Sequence, residues 1–537
     1  MLRDNKSKLW FVAVTAIVVC PVVYNVCTAA QLYVPAQYDV IQAAVDDAND
    51  GDTIIVADGI YFGDGNYEIY PSGKSITVRS ENGPNDCIID CNSLGRAFIF
   101  QNAEDANTII DGFTITNGYS SEAQYGGAIF CYGSSPVIKN CVITNNETLS
   151  IGGAIACYES SPTIDNCKIT DNHTYAYGGA IACVQSSPTI DNCIMAGNSA
   201  YLSSGAIDLD VQSNAVISRC TIISNRSDEG SGGAISNVNS SPVIENCLII
   251  YNASRYSGAA TSLYGGTISF VNCTIAYNFA SDPNGTGGII CVEADTTITN
   301  TILWNNYGGD GSQIRRVLGN EIVTVSYSDV KLADSNVWVG IGNINADPLF
   351  ASPEWGDYHL KSTAGRWAHI LETNGDFNDD GIIDVLDLRI FTRYWLYSSL
   401  ADLNGDKTVD FADYAIIADN WLGTNGDADI NNDGLVDALD LEILARFWLQ
   451  ASLTVGKIID LNNDEVIDFA DYALLVDNWL KPGRNVAGWT YTDTETSPCI
   501  DTGDPASDYT LEPEPNGNRI NMGTYGNTPR ASKSPLE

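Results

Sequence analysis

Apolar and polar positions along most of this chain alternate in short bursts with a period of two, the spacing of strands and not of helices. From residue 126 one pattern is rewritten: GGAIFCYGSSPVIKNCVITNN, GGAIACYESSPTIDNCKITDN and GGAIACVQSSPTIDNCIMAGN. Degenerate copies begin at Gly205, Gly232, Gly258 and Gly287. An Asn-Cys or equivalent landmark places Cys141, Cys167, Cys193, Cys220, Cys247 and Cys273 at spacings of 26, 26, 27, 27 and 26. Each unit holds β-branched runs broken by Gly, Ser-Pro and Asn, and no amphipathic stretch of helical length, which excludes helical and leucine-rich repeats. Such units stack as coils of a parallel solenoid, about 4.8 Å per coil. Roughly eleven or twelve coils fit between Gly51 and Phe350, a rod of about 55 Å.

Parity sorts the faces. Ile129 and Cys131, Ile155 and Cys157, and Ile181 and Cys183 are expected inside. Phe130 and Tyr132, Ala156 and Tyr158, and Asp208 and Asp210 take the outward positions between them. Asn140, Asn166, Asn192, Asn246 and Asn272 recur at one bend, where Asn tolerates left-handed backbone and can bond along the stack. Asp39 to Ala48 reads as a short amphipathic helix with Ile41, Ala44 and Val45 on one side. Asp39 with Gln42 suggests a capping box, and Gly51 a nearby stop. Such a helix would cover the open end of the solenoid.

The run DGDTIIVADGIY, the DGFTITNG at Asp111 to Gly118, the GGAI and NC-x-I-x-x-N repeats, and the closing SPCIDTGDP and NRINMGTYGN resemble secreted right-handed parallel β-helix proteins of bacteria. The resemblance spans most of residues 38–365 and 497–531. It implies an all-β right-handed parallel β-helix over 31–365, with 490–537 as a C-terminal continuation or cap. It does not choose an activity, since the architecture hosts lyases, hydrolases and adhesins.

A different periodicity appears between residues 376 and 471: DFNDDGIIDVLD, DLNGDKTVDFAD, DINNDGLVDALD and DLNNDEVIDFAD. Oxygen side chains at positions 1, 3, 5, 9 and 12, with a backbone carbonyl at 7, are the spacing that wraps a calcium ion. The first loop offers Asp376, Asn378, Asp380, Ile382 (carbonyl), Asp384 and Asp387, and the second Asp402, Asn404, Asp406, Asp410 and Asp413. The third offers Asp429, Asn431, Asp433, Leu435 (carbonyl), Asp437 and Asp440, and the fourth Asp460, Asn462, Asp464, Asp468 and Asp471. Up to four Ca2+ ions are expected. The first and third loops keep Gly381 and Gly434 at the tight turn, whereas the others place Lys407 and Glu465 there. A helix with apolar teeth follows each loop, as in Leu388, Phe391 and Trp395.

This loop-helix unit resembles the type I dockerin, which plugs polysaccharide-degrading enzymes into scaffold proteins. The resemblance implies two tandem pairs, about 376–422 and 429–480, within a module at 373–482, and a cohesin-like scaffold as partner. The positions just before the twelfth ligand are apolar (Val385-Leu386, Phe411-Ala412, Ala438-Leu439, Phe469-Ala470), which also suits another receptor or module-to-module packing. DYHLKS before the block and SPCIDTGDP after it read as neighbouring pieces of one β-helix tail, so the block reads as an insertion.

Composition then narrows the partners. The chain carries 67 acidic against 26 basic side chains, a net charge of −41, which excludes nucleic acid and favours bound cations. Arg3, Lys6 and Lys8, an apolar run from Trp10 and small residues at Thr28 to Ala30 form a signal peptide over 1–30. The mature chain is therefore expected to be secreted, with no membrane span. Removing Cys20 and Cys27 leaves an odd thirteen cysteines, most on inward ladders, so stacked unpaired thiols are expected, with Cys87 and Cys91 the local candidates for a bond.

No nucleophile elbow, phosphate loop or metalloprotease motif occurs. The Asp pairs and Gly-His-Gly run of β-helix polygalacturonases are missing, and the repeats are poor in the cations that uronate cleavage needs. Lys168 beside Asp165 reads as a surface pair, and neither His173 nor His359 has a visible catalytic companion. The better candidate surface is Tyr132 and Tyr158, expected to stack on successive coils and to bind sugar, with Asp208 and Asp210 two coils further along the same column as candidate catalytic carboxylates. Two functions follow. One is a polysaccharide- or cell-surface-glycan-binding rod with calcium modules for docking; the alternative is a polysaccharide-degrading enzyme, a glycoside hydrolase or pectate-lyase-like enzyme.

Overall fold

The computed structural model describes residues 29–534 except 122–123, 320, 333–335, 354–356, 365 and 367–492. The calcium loops, the dockerin-like module and most of the signal segment lie outside the described residues.

Each coil contributes up to four short strands, such as Val137–Lys139, Val142–Thr144, Glu147–Thr148 and Ile155–Tyr158. They enter four parallel sheets of 12, 11, 7 and 9 strands, in which each strand pairs in register with its counterparts one coil away. The expected inward residues Ile129, Cys131, Ile155, Cys157, Ile181 and Cys183 are all fully buried. All thirteen described cysteines are free and buried, as expected of stacked unpaired thiols, and the candidate exception, Cys87 with Cys91, is unbonded too.

Backbone chemistry explains the punctuation. Asn140, Asn166, Asn192, Asn246 and Asn272 adopt φ of +50 to +53°, and Asn166 Nδ2 donates to Asn140 Oδ1 at 2.8 Å along the stack. Gly126 sits at φ +73°, and a Cβ there would lie 2.2 Å from the Ile129 carbonyl. A Cβ on Gly127 would lie 2.1 Å from the carbonyl of Gly153 one coil on, so both glycines of the repeat are sterically required.

A second ladder runs through the interior. Asn146, Asn172, Asn198, Asn225, Asn252, Asn278 and Asn306 are buried, and each side-chain oxygen from Asn172 onward accepts from the backbone and amide N–H groups of the preceding member. The final Asn306 bonds Gln313 Oε1 at 2.8 Å.

The helix under the first coil spans Ile41–Asp47 and buries Ile41, Ala44 and Val45 as expected. Its N-cap is Val40, with no side-chain cap bond, so the Asp39–Gln42 box does not form. Asn66 Oδ1 instead accepts the Ile41 N–H at 3.0 Å, and the Gly65 carbonyl accepts that of Gln42 at 2.8 Å. A neighbouring turn satisfies the first-turn donors that a local cap would otherwise serve.

After the last coil, Phe350–Ser352 and Asp357–Leu360 form an antiparallel pair. Together with residues 493–534 they cover the outer side of the 11-stranded sheet, where Leu248, Ile250, Ala276 and Ile302 join Phe350, Tyr358, Leu360, Cys499, Ile500 and Met522 in a second apolar core. The residues flanking the dockerin-like block meet: Asp493 N–H donates to the Ser362 carbonyl at 3.0 Å, and Arg366 Nε lies 3.1 Å from Asp493 Oδ2.

Candidate functional site

The outer face of the 9-stranded sheet carries the candidate residues in two parallel columns. The first runs Tyr132, Tyr158, Val184, Asp210, Val238, Tyr264, one residue per coil. Tyr132 and Tyr264 are 47% and 43% exposed, while Tyr158 and Asp210 are half-buried. The Tyr132 and Tyr158 rings lie 5.7 Å apart, as expected for neighbours on adjacent coils. Tyr125 stacks on Tyr158 at 6.2 Å and Phe130 on Tyr132 at 6.4 Å, so four rings form one aromatic patch. Arg96 lies over the Phe130 ring at 5.4 Å. Tyr125, four residues before the strand Ile129–Tyr132 and outside any strand, carries no period-two signal in the sequence.

Asp208 departs from expectation. It belongs to the second column, in register with Phe130, Ala156 and Ala182, and not to the tyrosine column. Although it points outward, it is 7% exposed. The cause is the left-handed turn before each strand, which folds back over this position: a Cβ on Gly178 would lie 3.0 Å from Ala182 Cβ. In the Asp208 coil that turn residue is Ser204, at φ +64°, and its hydroxyl donates to Asp208 Oδ1 at 2.8 Å. Burial pushes the Asp208 carboxyl up to about 7; the Ser204 hydroxyl opposes this and the Asp210 charge adds to it. The same coil holds Val211 and Gln212 at φ +45° and +59°, a left-handed pair that includes a β-branched residue.

The remaining polar clusters are structural in their partners. His173 Nδ1 lies 2.9 Å from Ser199 Oγ. His359 is buried, bonds Asp357 Oδ1 at 2.7 Å through Nδ1 and stacks on Tyr525 at 3.8 Å, so it does have a carboxylate companion that its sequence context hid. Arg366 joins the same Asp357 at 2.8 Å, which makes this the anchor of the tail. Cys499 Sγ donates to the buried Asp329 Oδ2 at 3.2 Å, and burial raises that carboxyl to about 7. A cavity of about 10 Å³ at the tail seam, lined by Thr274, Tyr358 and Met522 among others, is one water in size. Among the described residues no three His, Cys, Asp or Glu side chains converge to hold a metal, and no helix is long and apolar enough to cross a membrane.

Comparison with known families gives two matches. Residues 49–200 and 97–275 match the right handed beta helix region, and residues 374–422, 400–449 and 427–480 match the dockerin type I domain. No curated protein matches the chain. Similar solved structures include a pectate lyase, at 17% identity over 61% of this chain and 84% of that one, with a TM-score of 0.39. A pectin methylesterase from carrot aligns at 11% over 57% and 88%, TM-score 0.28. An alginate lyase aligns at 13% over 56% and 51%, TM-score 0.25.

Proposed function

We propose that this chain, a right-handed β-helix protein that carries dockerin type I domains, is an exported rod that binds a polysaccharide or cell-surface glycan. Type I dockerins bind calcium and dock onto cohesin-like partners. In this chain the block at 373–482 would do so through two tandem pairs holding up to four Ca2+ ions, and the rod would present the glycan-binding face at Tyr132 and Tyr158. The observation that carries the reading is the exposed tyrosine patch on a rod whose chain also encodes dockerin modules. Aromatic rings edged by carboxylates are suited to sugar hydroxyls and sugar C–H faces.

The enzyme reading keeps one supporting observation: Asp208, raised to about 7, stands two residues from the more exposed Asp210, some 6 to 7 Å away at the backbone. Asp208 would give its proton to the leaving glycosidic oxygen while Asp210 takes one from the attacking water. Its 7% exposure counts against contact with a substrate, so binding is the preferred function.

Co-sedimentation with a panel of insoluble polysaccharides, combined with assays for reducing ends and unsaturated products, tests both. Retention without products is expected. Products that vanish in both Asp208→Asn and Asp210→Asn would replace the binding rod with an enzyme, and neither retention nor products would sink both.

A further inference from the structure

Most cations in the middle coils of the rod are paired with carboxylates. Residues 96–316 hold 8 basic and 18 acidic side chains. Arg96 pairs with Glu68, Lys139 with Asp111, Arg219 with Asp191, Arg226 with Asp228, Arg255 with Glu229 and Arg315 with Asp310, and Lys168 also has a partner. The exposed charges beside the tyrosine column are acidic, and the one cation against its aromatic patch, Arg96, is buried and paired with Glu68. Glu159 and Glu293 are exposed at its edge, and Asp210 lies within it. A uronate polymer laid here would set its carboxylates against these, with most nearby cations already paired to carboxylates and a net charge of −41 on the chain.

An uncharged polysaccharide meets the opposite situation. Its hydroxyls donate to Glu159, Asp210 and Glu293, and charge-assisted bonds of that kind are the stronger class. Its C–H faces lie against Tyr132, Tyr158 and Tyr264. The column from Tyr132 to Tyr264 spans five coil steps, about 24 Å along the rod axis, enough for several sugar rings in an extended chain.

We infer that the glycan bound by this face is an uncharged polysaccharide lying along the rod axis, and that polyuronates are excluded by charge. This rests on the glycan-binding function proposed above and specifies its ligand class.

The test uses the full chain in calcium buffer, with xylan, galactomannan and a β-glucan as uncharged probes and polygalacturonate and alginate as charged ones. At low salt, retention on at least one uncharged polymer and on neither polyuronate is expected. Oxidising the primary hydroxyls of a retained hexose polymer to carboxylates should lower affinity at least tenfold, and added salt should recover part of it. The double variant Glu159→Lys/Asp210→Lys should gain affinity for polygalacturonate. Retention on a polyuronate that strengthens as salt is lowered overturns the inference and leaves glycan binding intact. Retention on none of the five overturns the glycan-binding function itself.

Discussion

Ser204 and Asp208 break the repeat together. Neighbouring coils place Gly at the left-handed turn and Ala or Ser beneath it, and here a hydroxyl and a carboxyl occupy both positions and bond each other. The exchange leaves a buried carboxyl that is easier to protonate than a free one, as are Asp329 and Glu512, each also raised to about 7 chiefly by burial. For a carboxyl whose pKa is raised by folding, ionisation is costlier in the folded state. Stability is therefore retained below the unfolded carboxylate value near 4 and lost as pH climbs from there to about 7. Asp52 acts in reverse: the Ala30 and Asn49 N–H groups lower its pKa, so its contribution fades as pH falls below the carboxylate range. Thermal melting of the rod should accordingly peak near pH 4 to 5 and decline toward pH 8. A midpoint that rises steadily from pH 5 to 8 would show that these carboxyls are not held neutral.

The cysteines make a second claim at this scale. Burial pushes the Cys87 and Cys91 thiols up to about 12, and Cys167 and Cys220 well above the ordinary thiol value. Only the thiolate attacks a thiol reagent at an appreciable rate. Hydrogen bonds from neighbouring thiols lower the pKa of Cys141, Cys157 and Cys193, but all thirteen are buried, so without reducing agent none should be reached by a reagent in the native rod and all should react after denaturation. Several fast-reacting native thiols, or fewer than thirteen on unfolding, would contradict the packed ladder.

Among the elements, those written as a period-two pattern with fixed punctuation were legible, because stacking repeats one local solution many times. The Asn bend and the inward Ile and Cys positions are of this kind. What escaped was set by non-local partners. The helix cap comes from Asn66, 25 residues away, and the burial of Asp208 comes from a turn that parity cannot see. The interior Asn ladder was visible as the last letter of NC-x-I-x-x-N, but nothing local shows whether that Asn faces water or core. Asn198 illustrates its weight. Its amide donates to the Ile169 carbonyl and to Asn225, and its oxygen accepts two bonds from Asn172. Asn198→Ala would strand several buried groups and should cost about 2 to 4 kcal/mol in denaturant unfolding. A loss within 0.5 kcal/mol would mean that water replaces the ladder.

At the scale of the whole molecule, three parts have different sources of stability. The rod rests on its stacked interior, and the tail on the second apolar core against the 11-stranded sheet. The block between them carries 22 acidic and 6 basic residues from Asp376 to Lys481, a net −16 that four calcium ions would halve. Chelation should therefore remove the helical part of the circular dichroism spectrum and leave the strand signal in place. An unchanged spectrum, with no calcium detected by mass spectrometry of the native protein, would remove the case for the calcium loops. The contacts of Ser362 and Arg366 with Asp493 close the rod side of the junction independently of the block, which is why the two signals should separate.

Glycan recognition by the tyrosine face is the claim on which the rest depends. Calorimetry of the parent and the Tyr132→Ala/Tyr158→Ala variant against a retained polysaccharide tests it most directly. Loss of two partly exposed aromatic contacts should weaken binding by about 1 to 3 kcal/mol in total, with the melting midpoint of the rod little changed. Equal binding by the two proteins would contradict the assignment of this face.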